Sequence, residues 1–187
     1  MDVFERAMDF AIKAHAGQLR KTGNTPFILH PFEVATIVAT MTDDRDVLAA
    51  ALLHDTVEDT AVTADDILAT FGPRVAELVE AETEDKRHDM PSEDSWLARK
   101  KESLVTLEQT DDMGVRQLWL GDKLSNMRSF YRLHQERGAK LWDTFNMHDP
   151  QLQGWYYREI LRLTASLSHS AAWQEYRWLV DQVFGEE

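Results

Sequence analysis

Val47-Leu48-Ala49-Ala50-Ala51-Leu52-Leu53-His54-Asp55-Thr56-Val57-Glu58-Asp59 is the stretch on which the fold turns. Seven consecutive apolar residues run into an imidazole and three carboxylates. The run is far too short to span a bilayer. With alanines at 49, 50 and 51 permitting close helix contact, it predicts a buried helix over about 44–57. Neighbours on a helix point about 100° apart. His54 and Asp55 can nevertheless both reach one cation lodged where this helix meets others. Imidazole with carboxylate suits a borderline-to-hard divalent metal such as manganese, iron or zinc. Glu58 and Asp59 follow one turn later, close to the first pair if the helix continues. Carboxylates beside a metal-activated water are suited to general acid/base work. The competing reading is a solvated helix end. Acids clustered at a helix C-terminus oppose the helix dipole, a small argument that they serve another purpose.

Outward from this stretch the pattern stays helical. Phe4, Ala7, Met8, Ala11 and Ala14 predict an amphipathic helix over 2–16, ended by Gly17. Gly23, Asn24 and Pro26 mark 18–28 as loop, and Pro31 suits the first position of a helix reaching about Thr40. Thr63 with Asp66 predicts a capped short helix ending before Gly72. Pro73 opens another, with Val75, Leu78 and Val79 on one face. Residues 84–95 are polar, include Pro91 and read as a mobile loop beside a site. Helices resume over 96–107 and 112–133, and Trp142, Trp155, Trp173 and Trp178 lie on further helical segments. No strand or tight hairpin signal appears. The expectation is an all-α fold, one domain over 1–187.

Composition narrows the function. The chain has 187 residues, 43% of them hydrophobic, and no cysteine. Disulfides, zinc fingers, iron–sulfur clusters and thiol nucleophiles are excluded, and a cytoplasmic setting is favoured. The N-terminus lacks the basic and apolar regions of a signal peptide. A net charge of -13 repels nucleic-acid backbones and anionic membranes, so neither is an expected partner. A phosphorylated small-molecule substrate requires cations gathered locally against that field. Oligomeric state is left open.

Two further elements carry candidate chemistry. In Arg20-Lys21-Thr22-Gly23-Asn24-Thr25-Pro26-Phe27-Ile28-Leu29-His30-Pro31, two cations precede a tight loop and a histidine at a helix start, a place where a packed or capping histidine is more common than a ligand. In Leu118-Trp119-Leu120-Gly121-Asp122-Lys123-Leu124-Ser125-Asn126-Met127-Arg128, a carboxylate follows a bulky apolar run and needs a cation or several hydrogen bonds. Asn126 lies one turn later on the same face.

Together these elements resemble the hydrolase domain of the RelA/SpoT family, in particular its small stand-alone members such as the metazoan homologue of SpoT. The family's blocks read here as Ala14-His15-Ala16-Gly17-Gln18-Leu19-Arg20-Lys21, His30-Pro31, His54-Asp55-Thr56-Val57-Glu58-Asp59-Thr60, Phe71-Gly72 and Gly121-Asp122-Lys123-Leu124-Ser125-Asn126-Met127-Arg128. They run in the family's order over about 4–132, leaving a divergent helical part over 133–187. The resemblance implies an HD-type helical domain with extra C-terminal helices. It implies one manganese ion held by His30, His54, Asp55 and Asp122, and Glu58 and Asp59 activating or orienting water. Arg20 then stacks on guanine, and Lys21 and Asn126 contact the nucleotide. The implied reaction removes the 3′-pyrophosphate of guanosine tetra- or pentaphosphate, leaving GDP or GTP. Lys123 and Arg128 can offset phosphate charge. Lys100 and Lys101 read as a solvated helix face. Trp155-Tyr156-Tyr157 reads as core, with pocket lining as the alternative.

Base specificity in the family draws on residues after the Asn126 block, where the match fades beyond about 133, and three departures from the family pattern stand before it. The Arg20 loop is one residue longer than in many members, Phe27 replaces a common tyrosine, and Ser125 stands where histidine or tyrosine is frequent. Alternatives remain within the class: a phosphatase of another nucleotide, such as the 2′-phosphate of NADPH, or a general HD nucleotidase indifferent to Arg20-Lys21. A silent nucleotide sensor is a further alternative, against which the Glu58-Asp59 pair argues. No synthetase or regulatory domain fits within the length.

Overall fold

The first helix is capped from both sides. The Asp2 side chain accepts from the Glu5 amide at 2.8 Å, and the Glu5 carboxylate accepts from the Asp2 amide at 3.0 Å. Helix α1 (Val3–Ala14) therefore starts where the apolar period places it. The computed structural model describes residues 1–21, 23–87, 89 and 91–185. Thr22, His88 and Met90, which fall in the two stretches expected as loops, and residues 186–187 lie outside the described residues.

Helices follow as α2 (Leu29–Val38), α3 (Arg45–Leu53), α4 (Thr56–Asp59), α5 (Ala64–Phe71), α6 (Pro73–Glu80), α7 (Ser92–Gln109), α8 (Met113–Arg137), α9 (Pro150–Leu163) and α10 (Ala171–Phe184). Short 3₁₀ segments occupy Gly138–Thr144 and Ala165–Leu167. Among the described residues no strand forms, and the fold is all-α. One antiparallel bridge, Leu19 to Pro26, closes the loop that carries Arg20 and Lys21. Among the described residues no helix is long and apolar enough to cross a membrane.

Every residue of the apolar run in α3 is buried, and α1, α2, α6 and α8 pack around it. Each fully enclosed leucine contributes about 2 kcal/mol by burial. The long α8 also carries α10, which pairs with α9. The resulting core is continuous from Ala7 to Val183, so the C-terminal helices share it with the first part of the chain. Aromatic rings seal that end: Phe130 meets Trp142, Phe145 and Tyr157, and Phe184 stacks on Trp142 and Tyr157.

Three boundaries beside the site differ from the sequence expectation. Helix α3 stops at Leu53 instead of continuing to Val57, because the Thr56 hydroxyl takes the Leu53 carbonyl at 2.6 Å and competes with the backbone ladder. Helix α2 begins at Leu29, which leaves Pro31 still in the first turn, where no amide bond is lost. Helix α7 begins at Ser92, just after Pro91, and so takes in part of the expected loop.

Gly121 sets the approach of α8 to α2. A Cβ there lies 2.6 Å from Val38 Cγ2 and 3.4 Å from the Val34 carbonyl oxygen, and both valines are fully buried. Glycine in a helix interior costs about 1 kcal/mol against alanine, so it is the close approach that accounts for it. Gly121→Ala is expected to lose about 1–3 kcal/mol in denaturant unfolding despite its better helix propensity. A variant as stable as the parent would show that α8 has room to shift.

Candidate metal centre and catalytic cavity

Four side chains from three distant stretches of the chain converge where α2, α3 and α8 meet. His30 Nε2 lies 2.9 Å from Asp122 Oδ1 and 3.5 Å from Asp55 Oδ2. His54 Nε2 lies 3.2 Å from Asp55 Oδ2 and 3.6 Å from Asp122 Oδ1. Ligands about 2.1 Å from one ion sit about 3.0–3.4 Å apart at right or tetrahedral angles, so these spacings suit a shared cation. His30, His54 and Asp122 are all buried, with their donor atoms within 4.8 Å of one another. Asp55 is the most accessible of the four.

The far side of each imidazole is committed. Ser125 donates to Glu33 at 2.7 Å, so its oxygen accepts from His30 Nδ1–H at 2.9 Å. His54 Nδ1–H donates to the Ala51 carbonyl at 2.9 Å, a bond made inside its own helix end. Both networks direct an Nε2 lone pair inward, the arrangement by which outer partners orient metal-binding histidines. His54 Nε2 is buried without a hydrogen-bond partner, which is costly unless a ligand takes it. These residues fit a divalent cation. Such an ion, when bound, polarises phosphoryl oxygens and makes coordinated water more acidic.

The two carboxylates make this point favourable to positive charge. Burial opposes charge on His54, but Asp55 and Asp122 overcome it and raise the imidazole well above its usual value. For His30 burial wins and the pKa is lowered. Burial also works against Asp122, yet Lys123 and the two histidines hold it well below the carboxylate range. Asp55 is likewise lowered against its burial, chiefly by His54.

A cavity of about 710 Å³ opens onto His30, Asp55 and Asp122. Glu58 and Asp59, carried by α4, line it. Burial and the Asp55 charge push the Glu58 carboxyl up. Glu58 accepts from the Glu84 amide at 3.3 Å, and Lys86 pairs with both Glu58 and Asp59. Lys21 also lines the cavity. Arg20 donates to Asn126 Oδ1 at 3.2 Å and lies over the Phe27 ring, while Asn126 donates to Asp122 Oδ1 at 2.8 Å. Lys123 pairs with Asp122 and with Glu82 at 3.3 Å, over the face of Trp119.

Two expectations change. Arg128, grouped with Lys123 as a phosphate contact, does not line the cavity; it is clamped by Glu33 and Glu175 and ties α8 to α2 and α10. Lys100, read as solvated, turns inward to Glu84 at 2.8 Å and over the Tyr156 ring at 4.9 Å. Lys101 stays exposed. Tyr156 and Tyr157 satisfy both readings of their segment: they are buried, and they wall the cavity. Trp155 lies outside it, beside Pro150 and Phe184.

Glu82 belongs to none of the sequence motifs, and Glu84 only opens the polar stretch expected as a loop beside the site. Glu84 takes Arg99 and Lys100. Glu82 is buried with Oε2 unpartnered, and burial, only partly offset by Lys123, pushes its carboxyl up to about 7. A carboxyl raised in the folded state favours folding below its unfolded pKa, and that advantage disappears as pH rises through the folded value. In metal-free protein, Glu82→Gln is therefore expected to be near neutral at pH 5 and stabilising at pH 8, by about 2 kcal/mol. Thermal unfolding across that range checks it; a pH-independent difference would place the Glu82 charge in solvent.

The HD domain family matches residues 7–147 of the chain. The guanosine-3′,5′-bis(diphosphate) 3′-pyrophosphohydrolase of Aquifex aeolicus (strain VF5) is 39% identical over 137 residues, covering 73% of this chain and 19% of its own. The chain thus spans about a fifth of the length of the curated relatives it matches. The crystal structure of lmo0812 from Listeria monocytogenes EGD-e superposes with a TM-score of 0.73 at 32% identity, covering 84% of this chain and 99% of that one. A metazoan ortholog of SpoT, described as hydrolysing ppGpp, shares the fold with a TM-score of 0.76 at 24% identity, covering 100% of this chain and 98% of its own. With its paired histidines and aspartates gathered at one point and a family match over most of its length, the chain belongs to the HD domain family.

Proposed function

We propose that the protein is a manganese-dependent guanosine-3′,5′-bis(diphosphate) 3′-pyrophosphohydrolase. It converts guanosine tetra- or pentaphosphate to GDP or GTP and pyrophosphate. The observation that carries this reading is local charge. In a chain of net charge -13, the cavity beside the donor cluster collects Arg20, Lys21, Lys86, Arg99, Lys100 and Lys123 against six acids. A bound dication tips that balance positive, as a multiply phosphorylated substrate requires.

In this reading His30, His54, Asp55 and Asp122 hold the ion. Glu58 and Asp59 orient water and accept its proton as the water oxygen bonds to phosphorus. The bond from that phosphorus to the ribose 3′-oxygen breaks, releasing pyrophosphate and restoring the 3′-hydroxyl. Arg20, fixed by Asn126 and Phe27, offers a flat cation for a base to stack on. Lys21, Lys123 and Lys100 meet phosphate charge. Arg128 has no part in it. Manganese suits the mixed imidazole and carboxylate donors.

Manganese-loaded protein incubated with guanosine tetraphosphate should yield GDP and pyrophosphate by chromatography. Absence of turnover across several divalent metals removes the proposal. Inorganic phosphate released from NADPH, with the alarmone untouched, assigns the other nucleotide activity instead.

A further inference from the structure

The block His15-Ala16-Gly17-Gln18 has no part in the chemistry above, yet it reaches the acid pair. Gly17, at φ +79°, turns the chain so that Gln18 folds back beside His15. Gln18 Nε2 then donates to the carbonyl of Asp59 at 2.8 Å, across 41 positions. The atom facing a carbonyl must be the amide nitrogen, so Gln18 Oε1 faces His15 and accepts from its Nδ1–H at 2.8 Å. The His15 ring is buried, packed at 4.8 Å on Phe27, whose edge meets His30 at 5.8 Å. The Gln18 carbonyl takes the Phe27 amide at 2.9 Å, so the same residue closes the loop carrying Arg20 and Lys21.

Helix α4 has four residues, and its last carbonyls have no partner within it. Asp59 is its last residue, and Thr60 after it is extended. A glutamine is suited to this junction because one side chain donates to α4 while it accepts from His15, the residue that follows α1. His15 Nε2 is buried without a partner. An apolar residue fills that space without leaving such an atom, so packing alone does not call for a histidine.

We propose that Gln18, oriented by His15, is a positioning residue that fixes the Glu58-Asp59 turn against the Arg20 loop. The two sides of the cavity thereby keep one spacing while the attacking water and the nucleotide are in place. The proposal rests on the hydrolase reading for its catalytic consequence, but not for its structural one.

Gln18→Met keeps length and loses both bonds. Two measurements test it. Hydrogen exchange on the metal-free variant should accelerate about tenfold at the Asp59 and Thr60 amides while α8 amides exchange as in the parent. In manganese-loaded protein kcat should fall about tenfold with manganese affinity unchanged, as expected when a reacting group loses alignment. His15→Leu should copy both effects, and His15→Asn, whose amide nitrogen stands near the place of Nδ1, should restore them in large part. Unaltered exchange at Asp59 and Thr60 in both Gln18→Met and His15→Leu overturns the proposal whatever the activity. Acceleration spread evenly over all helices also overturns it, since that marks general destabilisation. Local acceleration in a protein whose parent hydrolyses no alarmone leaves the strap standing and removes only the hydrolase reading.

Discussion

Asp55→Ala is expected to abolish binding of the divalent cation and, with it, hydrolysis. Asp55 Oδ2 sits between the two imidazoles, 3.2 Å from His54 Nε2 and 3.5 Å from His30 Nε2. Its loss removes one of two carboxylates from the donor set. Three donors and one negative charge remain, in a pocket where buried nitrogen atoms then have fewer partners. Removing a group that merely orients a ligand costs metal sites about 10–100-fold in affinity, and removing a ligand costs more. Thermal unfolding with and without manganese reads this directly. At a thousandfold excess over Kd the parent should gain about 4 kcal/mol, and the variant should gain nothing. A variant that still takes up one ion within tenfold of the parent's affinity takes Asp55 out of the ligand set.

Glu58→Gln separates the metal from the chemistry. Glu58 makes none of the ion pairs that hold the two imidazoles; its partners are the Glu84 amide and Lys86. Metal content and affinity should therefore stay at parental values while kcat falls about 10²–10⁴-fold, the range for loss of a general base. The pH profile carries a second mark. Burial and Asp55 raise the Glu58 carboxyl, and a base works only when unprotonated. The parent's rate should rise with pH through that raised pKa, and the variant's residual rate should lack this limb. A variant that keeps both the parental rate and the limb moves the role to Asp59, where Asp59→Asn becomes the informative change.

Much of the site was legible before folding, for local reasons. His54, Asp55, Glu58 and Asp59 lie within one short stretch at the end of an apolar run, and no tertiary information is needed to see acids and an imidazole together. Where the local reading failed, a side chain had reached for a partner far along the chain. Lys100 sits on a helix face that looks solvated by period, and only Glu84 and Tyr156 turn it inward. Arg128 stands in the right block, but Glu33 and Glu175 claim its guanidinium. Glu82 is one acid in an acidic run, and nothing near it in sequence announces that it is enclosed beside Lys123.

By itself the sequence determined the helical period, the cap at Thr63, the buried run of α3 and the residue types able to bind a cation. These follow from spacing and from backbone hydrogen bonding, which act over a few residues. The tertiary structure alone decided that α8 comes near enough to α2, at Gly121 against Val38, to bring Asp122 within 2.9 Å of His30. It also decided that two tyrosines of α9 serve as core and cavity wall at once. Periodicity states which face of a helix leaves water. Which other face it meets there depends on the fit of surfaces far apart in the chain, and no local pattern records that fit.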